Sequence, residues 1–186
     1  MKLTEAINKR TSIRKFKDKK VKFGDVLEAI DAALKTPLAG NISTLKFIII
    51  TDPDTKEKIA EYADQLWLAD ADTLVVVCSE MGQIERMYKE RGHDYAKQQV
   101  GAAIQNFLLC ITEIGLASCW VGAYLDHEIK NLLRIPGEIV VEAILPVGHP
   151  DEKPKPKKKV SLEHAIYWDK WKQNKKPTLT KDPATR

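Results

Sequence analysis

The chain has 186 residues, 44% of them hydrophobic and 30% charged, with a formal net charge of +4. That length supports one domain around one core, and no apolar run reaches the roughly 18 residues that a membrane span requires. Much of the positive excess lies between residues 153 and 159 and in the C-terminal tail. This is local basicity without the interleaved aromatics of a nucleic-acid binder, so neither nucleic acid nor membrane is expected as a partner.

Residues 3–9 read as a short helix that delivers Arg10. Residues 23–35 form an amphipathic helix with Val26, Ile30, Ala33 and Leu34 on one face, ended by Thr36-Pro37 because the residue before proline avoids helical geometry. The turn-forming run Pro37-Leu38-Ala39-Gly40-Asn41 follows, then a short buried strand over Phe47–Ile50. Asp52-Pro53-Asp54 caps a helix to about Ala63. Thr73–Cys78 is a β-branched run suited to the middle of a sheet covered on both faces.

Residues 81–92 are polar and helical in character. The longest helix is expected from about Tyr95 to Ile114, apolar around most of its circumference and therefore covered on several sides, a partner subunit being one cover. Gly115 stops it. Ala117–Tyr124 reads as strand or extended chain, Asp126 as the cap of a helix to about Leu133, and Glu138–Val147 as a further strand. After His149-Pro150 the composition shifts to Lys and Pro, which favours an extended segment. Leu162–Trp171 forms a short aromatic-bearing element, and a polar tail occupies 172–186. Helices and strands alternate irregularly within one domain, 1–171, of mixed α and β class.

The N-terminus lacks a charged-then-apolar signal pattern. Cys78, Cys110 and Cys119 are odd in number, each sits in an apolar run, and no pair has metal-ligand or redox spacing. They read as reduced core residues of a cytoplasmic protein with no metal site.

The chemistry concentrates near the start, in Arg10-Thr11-Ser12-Ile13-Arg14. Two guanidiniums and two hydroxyls in five residues can wrap a dianionic phosphate, the guanidinium supplying a planar fork of donors. The lysines between 153 and 159 could close the cage. Alone, each piece reads better as a solvated charged face, because charge runs are usually solvated. Together they read as a cofactor phosphate site. Trp67 and Trp120 read as core aromatics, His93 and His149 as loop or surface residues, and Asn106 as a buried, hydrogen-bonded group. No Ser-His-Asp or Cys-His arrangement is visible, and no catalytic side chain is assigned.

The segments Lys9-Arg10-Thr11-Ser12-Ile13-Arg14-Lys15-Phe16, Pro37-Leu38-Ala39-Gly40-Asn41, Gln105–Leu109 leading to Gly115-Leu116-Ala117-Ser118-Cys119-Trp120-Val121-Gly122, and Pro146-Val147-Gly148-His149-Pro150 occur in an order and spacing that resembles FMN-dependent nitroreductases, to about residue 171. The resemblance implies an α+β fold, a central mostly antiparallel sheet flanked by helices, in an intertwined homodimer. It implies that Arg10, Ser12 and Arg14 hold the FMN phosphate and ribityl chain, with Thr11 near the flavin. Lys157 and Lys159 would complete the cage. Asn41 and its neighbours Leu38, Ala39, Gly40 and Ser43 would edge the isoalloxazine from the partner subunit. Gln65 would lie on the ring, and Val121, Gly122 and Ala123 would offer backbone near its reactive nitrogen. One departure stands out. Members commonly continue the loop as Asn-x-Gln-Pro-Trp, whereas this chain has Asn41-Ile42-Ser43-Thr44-Leu45, without the aromatic wall and the amide.

The resemblance implies an oxidoreductase that passes hydride from NAD(P)H through FMN to a nitroaromatic, quinone or similar acceptor. The departure motivates a different reading, a non-catalytic flavin-binding or carrier module. Turnover with a nicotinamide and an artificial acceptor separates the two. A third reading, a basic interaction protein using the lysine segment, predicts binding that collapses as salt rises.

Overall fold

Thr73–Glu80 (β2) is the middle of the molecule because both of its faces are apolar. Every residue from Thr73 to Ser79 is buried. The computed structural model describes residues 1–153 and 159–175, and the chain divides into two units, Met1–Pro154 and Lys155–Arg186.

In the first unit a four-stranded antiparallel sheet has the order β1-β2-β4-β3, with β1 at Leu45–Ile50, β3 at Ala117–Ser118 and β4 at Ile139–Gly148. Val76 pairs with Ile48 on one side and Ile144 on the other. Side chains alternate between faces with period two. Leu74, Val76 and Cys78 therefore enter a core with Ile13, Phe16, Ile59, Leu68 and Ile129. Val75 and Val77 enter a second core with Ala29, Ala103, Phe107 and Leu145. Helices α3 (Pro53–Tyr62) and α6 (Asp126–Leu133) cover the first face, and α2 (Phe23–Leu34) and α5 (Glu90–Glu113) the second. Each fully buried Ile, Leu or Phe contributes roughly 1.5–3 kcal/mol. The helix α1 spans Leu3–Lys9 and α4 Gly82–Tyr88.

Local chemistry fixes the turns that carry the site. Asp52 caps α3: its Oδ2 accepts from the Thr55 amide at 2.9 Å and from the Thr55 hydroxyl at 2.5 Å, and those bonds hold its carboxyl below the ordinary range. Lys56 is buried, with its Nζ donating to the carbonyls of Ala71 (2.6 Å), Asp72 (3.2 Å) and Ala69 (3.5 Å). Burial lowers its pKa. The lysine clamps the turn between the helical turn Leu66–Leu68 and β2.

Two expectations change in detail. The long helix begins at Glu90 rather than near Tyr95, because a single residue, Lys89 (φ 52°, ψ −132°), separates it from α4. Asp126 is the first helical residue of α6, not its cap. Leu125 occupies the cap position with no side-chain hydrogen bond.

Among the described residues of the second unit there is one short helix, α7 (Leu162–Ala165). The Ser161 hydroxyl and His164 Nδ1 are 2.6 Å apart, and the Tyr167 and Trp171 rings meet edge to face at 4.8 Å.

Candidate functional site

After α1 the chain runs as an extended strip along the β3 and β4 edge. The Ile13 amide donates to Ser118 O at 3.1 Å, the Lys17 amide to His149 O at 2.9 Å, and the Asp151 amide to Lys15 O at 2.9 Å. Ser12 pairs with Ser118, and Phe16 with Pro150. Ile13 and Phe16 point into the core, 5% and 8% exposed, which turns Arg14 outward. Gly148 makes this docking possible, since a Cβ there would lie 2.7 Å from the Phe16 ring.

Three predicted segments meet on this edge. The Arg14 guanidinium lies over the Trp67 ring, 5.8 Å from its centroid, and Trp67 stacks on Phe16 at 6.5 Å. Gln65 Nε2 donates to Ala123 O at 3.4 Å. Val121 exchanges both backbone hydrogen bonds with Ile144, leaving Gly122 and Ala123 exposed beyond it. Thus Arg10, Thr11, Ser12 and Arg14, then Gln65, then Val121, Gly122 and Ala123 belong to one neighbourhood. Among the described residues neither Arg10 nor Arg14 forms an ion pair. Two guanidiniums without ion pairs, beside exposed Thr11, half-buried Ser12 and an open glycine backbone, are a donor set that fits a phosphate attached to a flat ring.

The other predicted segment lies elsewhere. Gly40 and Asn41 both have φ +57°, and with Ser43 they are exposed, while Leu38 and Ala39 are half-buried. The Gln99 amide, oriented to satisfy both ends, donates to Ile42 O (3.1 Å) and accepts from the Ala39 amide (3.3 Å). The loop enters β1 where the Glu80 amide donates to Thr44 O at 2.8 Å. Ser118 instead pairs with Val147, which pairs with Thr73. The Asn41 loop and the Ser12 strip therefore sit beyond opposite ends of β2 and on opposite edges of the sheet. The seven steps from Thr73 to Glu80 alone span about 23 Å at roughly 3.3 Å each. Lys157 lies outside the described residues, and Lys159 belongs to the second unit.

A model of the nitroreductase family matches residues 7–69 and 62–149. The chain belongs to the nitroreductase family. A relative from Archaeoglobus fulgidus with the provisional name NADH dehydrogenase/NAD(P)H nitroreductase is 32% identical over 150 residues, covering 77% of this chain and 83% of its own. A BluB-like flavoprotein from Clostridium difficile 630 has a TM-score of 0.79 at 28% identity, covering 91% of this chain and 100% of its own. The NADPH:FMN oxidoreductase of Vibrio harveyi, solved in complex with NAD+, shares the fold with a TM-score of 0.82 at 20% identity over 91% of this chain and 77% of its own.

Against this nitroreductase framework the sequence reading misplaced some side chains. Trp120, read as core, is 43% exposed. Trp67 does pack against the first core, as read, and its half-buried ring also lies beneath Arg14. Glu152 was missed: its Oε1 accepts from the amides of Arg14 (2.6 Å) and Lys15 (3.2 Å). Only its position just after the Gly148-His149-Pro150 motif could have signalled it. Asn106 is half-buried, with Nδ2 donating to Ala32 O at 3.3 Å. Cys78 is buried, and burial pushes its thiol up to about 11. Among the described residues no acidic, His or Cys cluster is placed to hold a metal, and no helix is long and apolar enough to cross a membrane.

Proposed function

We propose that this nitroreductase is an NAD(P)H-dependent flavin oxidoreductase that uses FMN to reduce a nitroaromatic, a quinone or a related acceptor. The observation that carries the reading is that the strip with unpaired Arg10 and Arg14, the Gln65–Ala123 contact and the exposed Gly122–Ala123 backbone beyond Val121 share one sheet edge. When bound, FMN supplies the hydride acceptor and donor. The chain's own residues would bind and orient it. Arg10 and Arg14 would take the phosphate with the Thr11 and Ser12 hydroxyls, Arg14 being braced by Trp67. The amide of Gly122 or Ala123 would donate toward the ring where negative charge collects. Gln65, already tied to Ala123, would set the height of that backbone.

The reading includes a homodimer. Asn41 is assigned to the ring by resemblance, yet within one chain its loop is separated from the Ser12 strip by the length and width of the sheet. A second copy would bring its own Asn41 loop to this chain's strip. The surface suited to meet that copy is the outer side of α1 and α2, where Leu3 and Ile7 are 67% and 50% exposed beside a cleft of ≈ 430 Å³ whose lining mixes Leu109 and Cys110 with Glu28, Asp31, Lys35 and Glu113. Lys159, and Lys157 with it, would close the phosphate cage.

The test is an absorption spectrum of the purified protein before and after anaerobic addition of NADH or NADPH. A flavin band that bleaches and returns on adding a nitroaromatic or quinone supports the reading. Protein that takes up no added FMN removes it. Bound flavin without turnover would favour a carrier module.

A further inference from the structure

We propose that Tyr88 orients the electron acceptor, supplying the aromatic wall and a hydrogen-bond donor that the Ser43-Thr44-Leu45 segment does not. This rests on the reading above that the Asn41 loop edges the FMN ring.

The segment after Asn41 turns inward. Ile42, Thr44 and Leu45 are buried, and only Ser43 faces out, so no large side chain of the loop stands over the place where a flat acceptor would lie. The end of α4 fills that role. Gly40 has φ +57°, and a Cβ there would lie 2.6 Å from the Tyr88 hydroxyl oxygen and 3.1 Å from Met87 Sδ. The phenol therefore rests on the loop through the space that the glycine leaves open. Its ring is held edge to face by Tyr95 of α5 at 5.0 Å and 89°. It also packs on the small cluster of Ile42, Met81, Ile84 and Ala96.

The hydroxyl is the second observation. Tyr88 is half-buried, and no hydrogen bond to its hydroxyl is present among the described residues. Its oxygen is not sealed from solvent, so the O–H is open to a ligand. A rigid ring with a spare donor, at a loop assigned to the flavin edge, suits a flat aromatic acceptor bearing a nitro or quinone oxygen. The ring gives it a face to pack against, and the O–H donates to that oxygen. No proton needs to leave the tyrosine for this role.

The experiment uses FMN-loaded wild type, Tyr88→Phe and Tyr88→Leu. Nitrobenzene binding to the oxidised holoprotein is followed by flavin absorbance, and steady-state KM and kcat are measured for a nitroaromatic. Tyr88→Phe keeps the wall and loses the donor, so nitrobenzene should bind about five- to tenfold more weakly, the worth of one hydrogen bond. Tyr88→Leu should lose more. FMN affinity and Tm should stay unchanged in Tyr88→Phe. Equal nitrobenzene affinity in all three proteins overturns the proposal. So does a loss of FMN affinity or Tm in Tyr88→Phe that matches the loss of nitrobenzene binding, since it marks a purely structural residue. If wild type holds no FMN, the functional reading itself falls, which separates that failure from this one.

Discussion

The Arg14 guanidinium lies 5.8 Å from the centroid of the Trp67 indole, with no carboxylate among the described residues bonded to it. The indole restricts the arginine without neutralising it, which leaves its charge available for a phosphate. Arg14→Ala should weaken FMN binding by about 1.5–3 kcal/mol, the value of a charged hydrogen bond, or roughly 10- to 100-fold in Kd. Trp67→Leu should weaken it only by about 0.5–1 kcal/mol, the worth of an exposed cation–π contact. Titration of apoprotein with FMN by fluorescence quenching measures both, and equal losses would mean that the ring does more than brace the cation.

Gly148 and Phe16 form a second dependence. The Phe16 ring occupies the place where a Cβ of residue 148 would be, 2.7 Å away. Gly148→Ala should push the ring out of its seat, at a cost of about 1–3 kcal/mol for an overpacked core. Because Phe16 lies two residues beyond Arg14 and stacks on Trp67, FMN affinity should fall together with Tm. A variant with lowered Tm and wild-type FMN affinity would show that the strip can re-seat without disturbing Arg14.

Lys89 separates α4 from α5 in a conformation, φ 52° and ψ −132°, that is favourable only for glycine. Such strain costs on the order of 1–3 kcal/mol, partly offset in a glycine variant by greater freedom of the unfolded chain. Lys89→Gly should therefore raise stability by about 1 kcal/mol, read from the urea midpoint at unchanged slope. A drop in the midpoint would mean that the lysine side chain holds the junction.

Asp72 links folding to acid. Burial alone would raise its pKa, but the Val21 amide, the Lys20 ammonium and the Thr73 hydroxyl outweigh that and hold it below its ordinary value of 3.8. A carboxyl lowered on folding stabilises the protein above its unfolded pKa, and that contribution disappears as pH falls through the unfolded and then the folded value. Asp72→Asn should cost about 1–2 kcal/mol at pH 7, a difference that shrinks below about pH 4. Urea denaturation at pH 7, 5 and 3 checks this. A difference that stays constant with pH would show that the charge is immaterial.

The sheet and the helices of the first unit were legible in the sequence because each signal there is local. The buried run Thr73–Cys78, the Asp52-Pro53 cap and the Gly115 stop all act within a few residues. What escaped depends on contacts between distant segments. Trp67 packs on the core as its sequence suggested, but its contact with Arg14 exists only once that residue, far earlier in the chain, docks beside it. Glu152 binds amides 138 residues away in sequence for one bond and 137 for the other. The resemblance to the family assigned Arg10–Arg14, Gln65 and Val121–Ala123 to one flavin, and the structure brings these segments to one sheet edge. The position of Asn41 across the sheet is a property of topology, which no motif encodes.

That position gives the strongest test of the shared site. If each flavin is held by the Arg14 strip of one chain and the Asn41 loop of the other, Arg14→Ala and Asn41→Ala damage the same site from different subunits. Each homodimer of a single variant then has two defective sites. In a mixed dimer both defects fall on one site, and the other site takes Arg14 from the Asn41→Ala chain and Asn41 from the Arg14→Ala chain. Co-expression of the two variants with different affinity tags and isolation of the doubly tagged dimer should recover one FMN per dimer with near wild-type affinity. Recovery of no tight site would place both residues on the same flavin within one chain, or remove the Asn41 loop from the flavin altogether. Doubly tagged protein that cannot be isolated, with wild type sedimenting as a flavin-bound monomer, would dismiss the shared site directly.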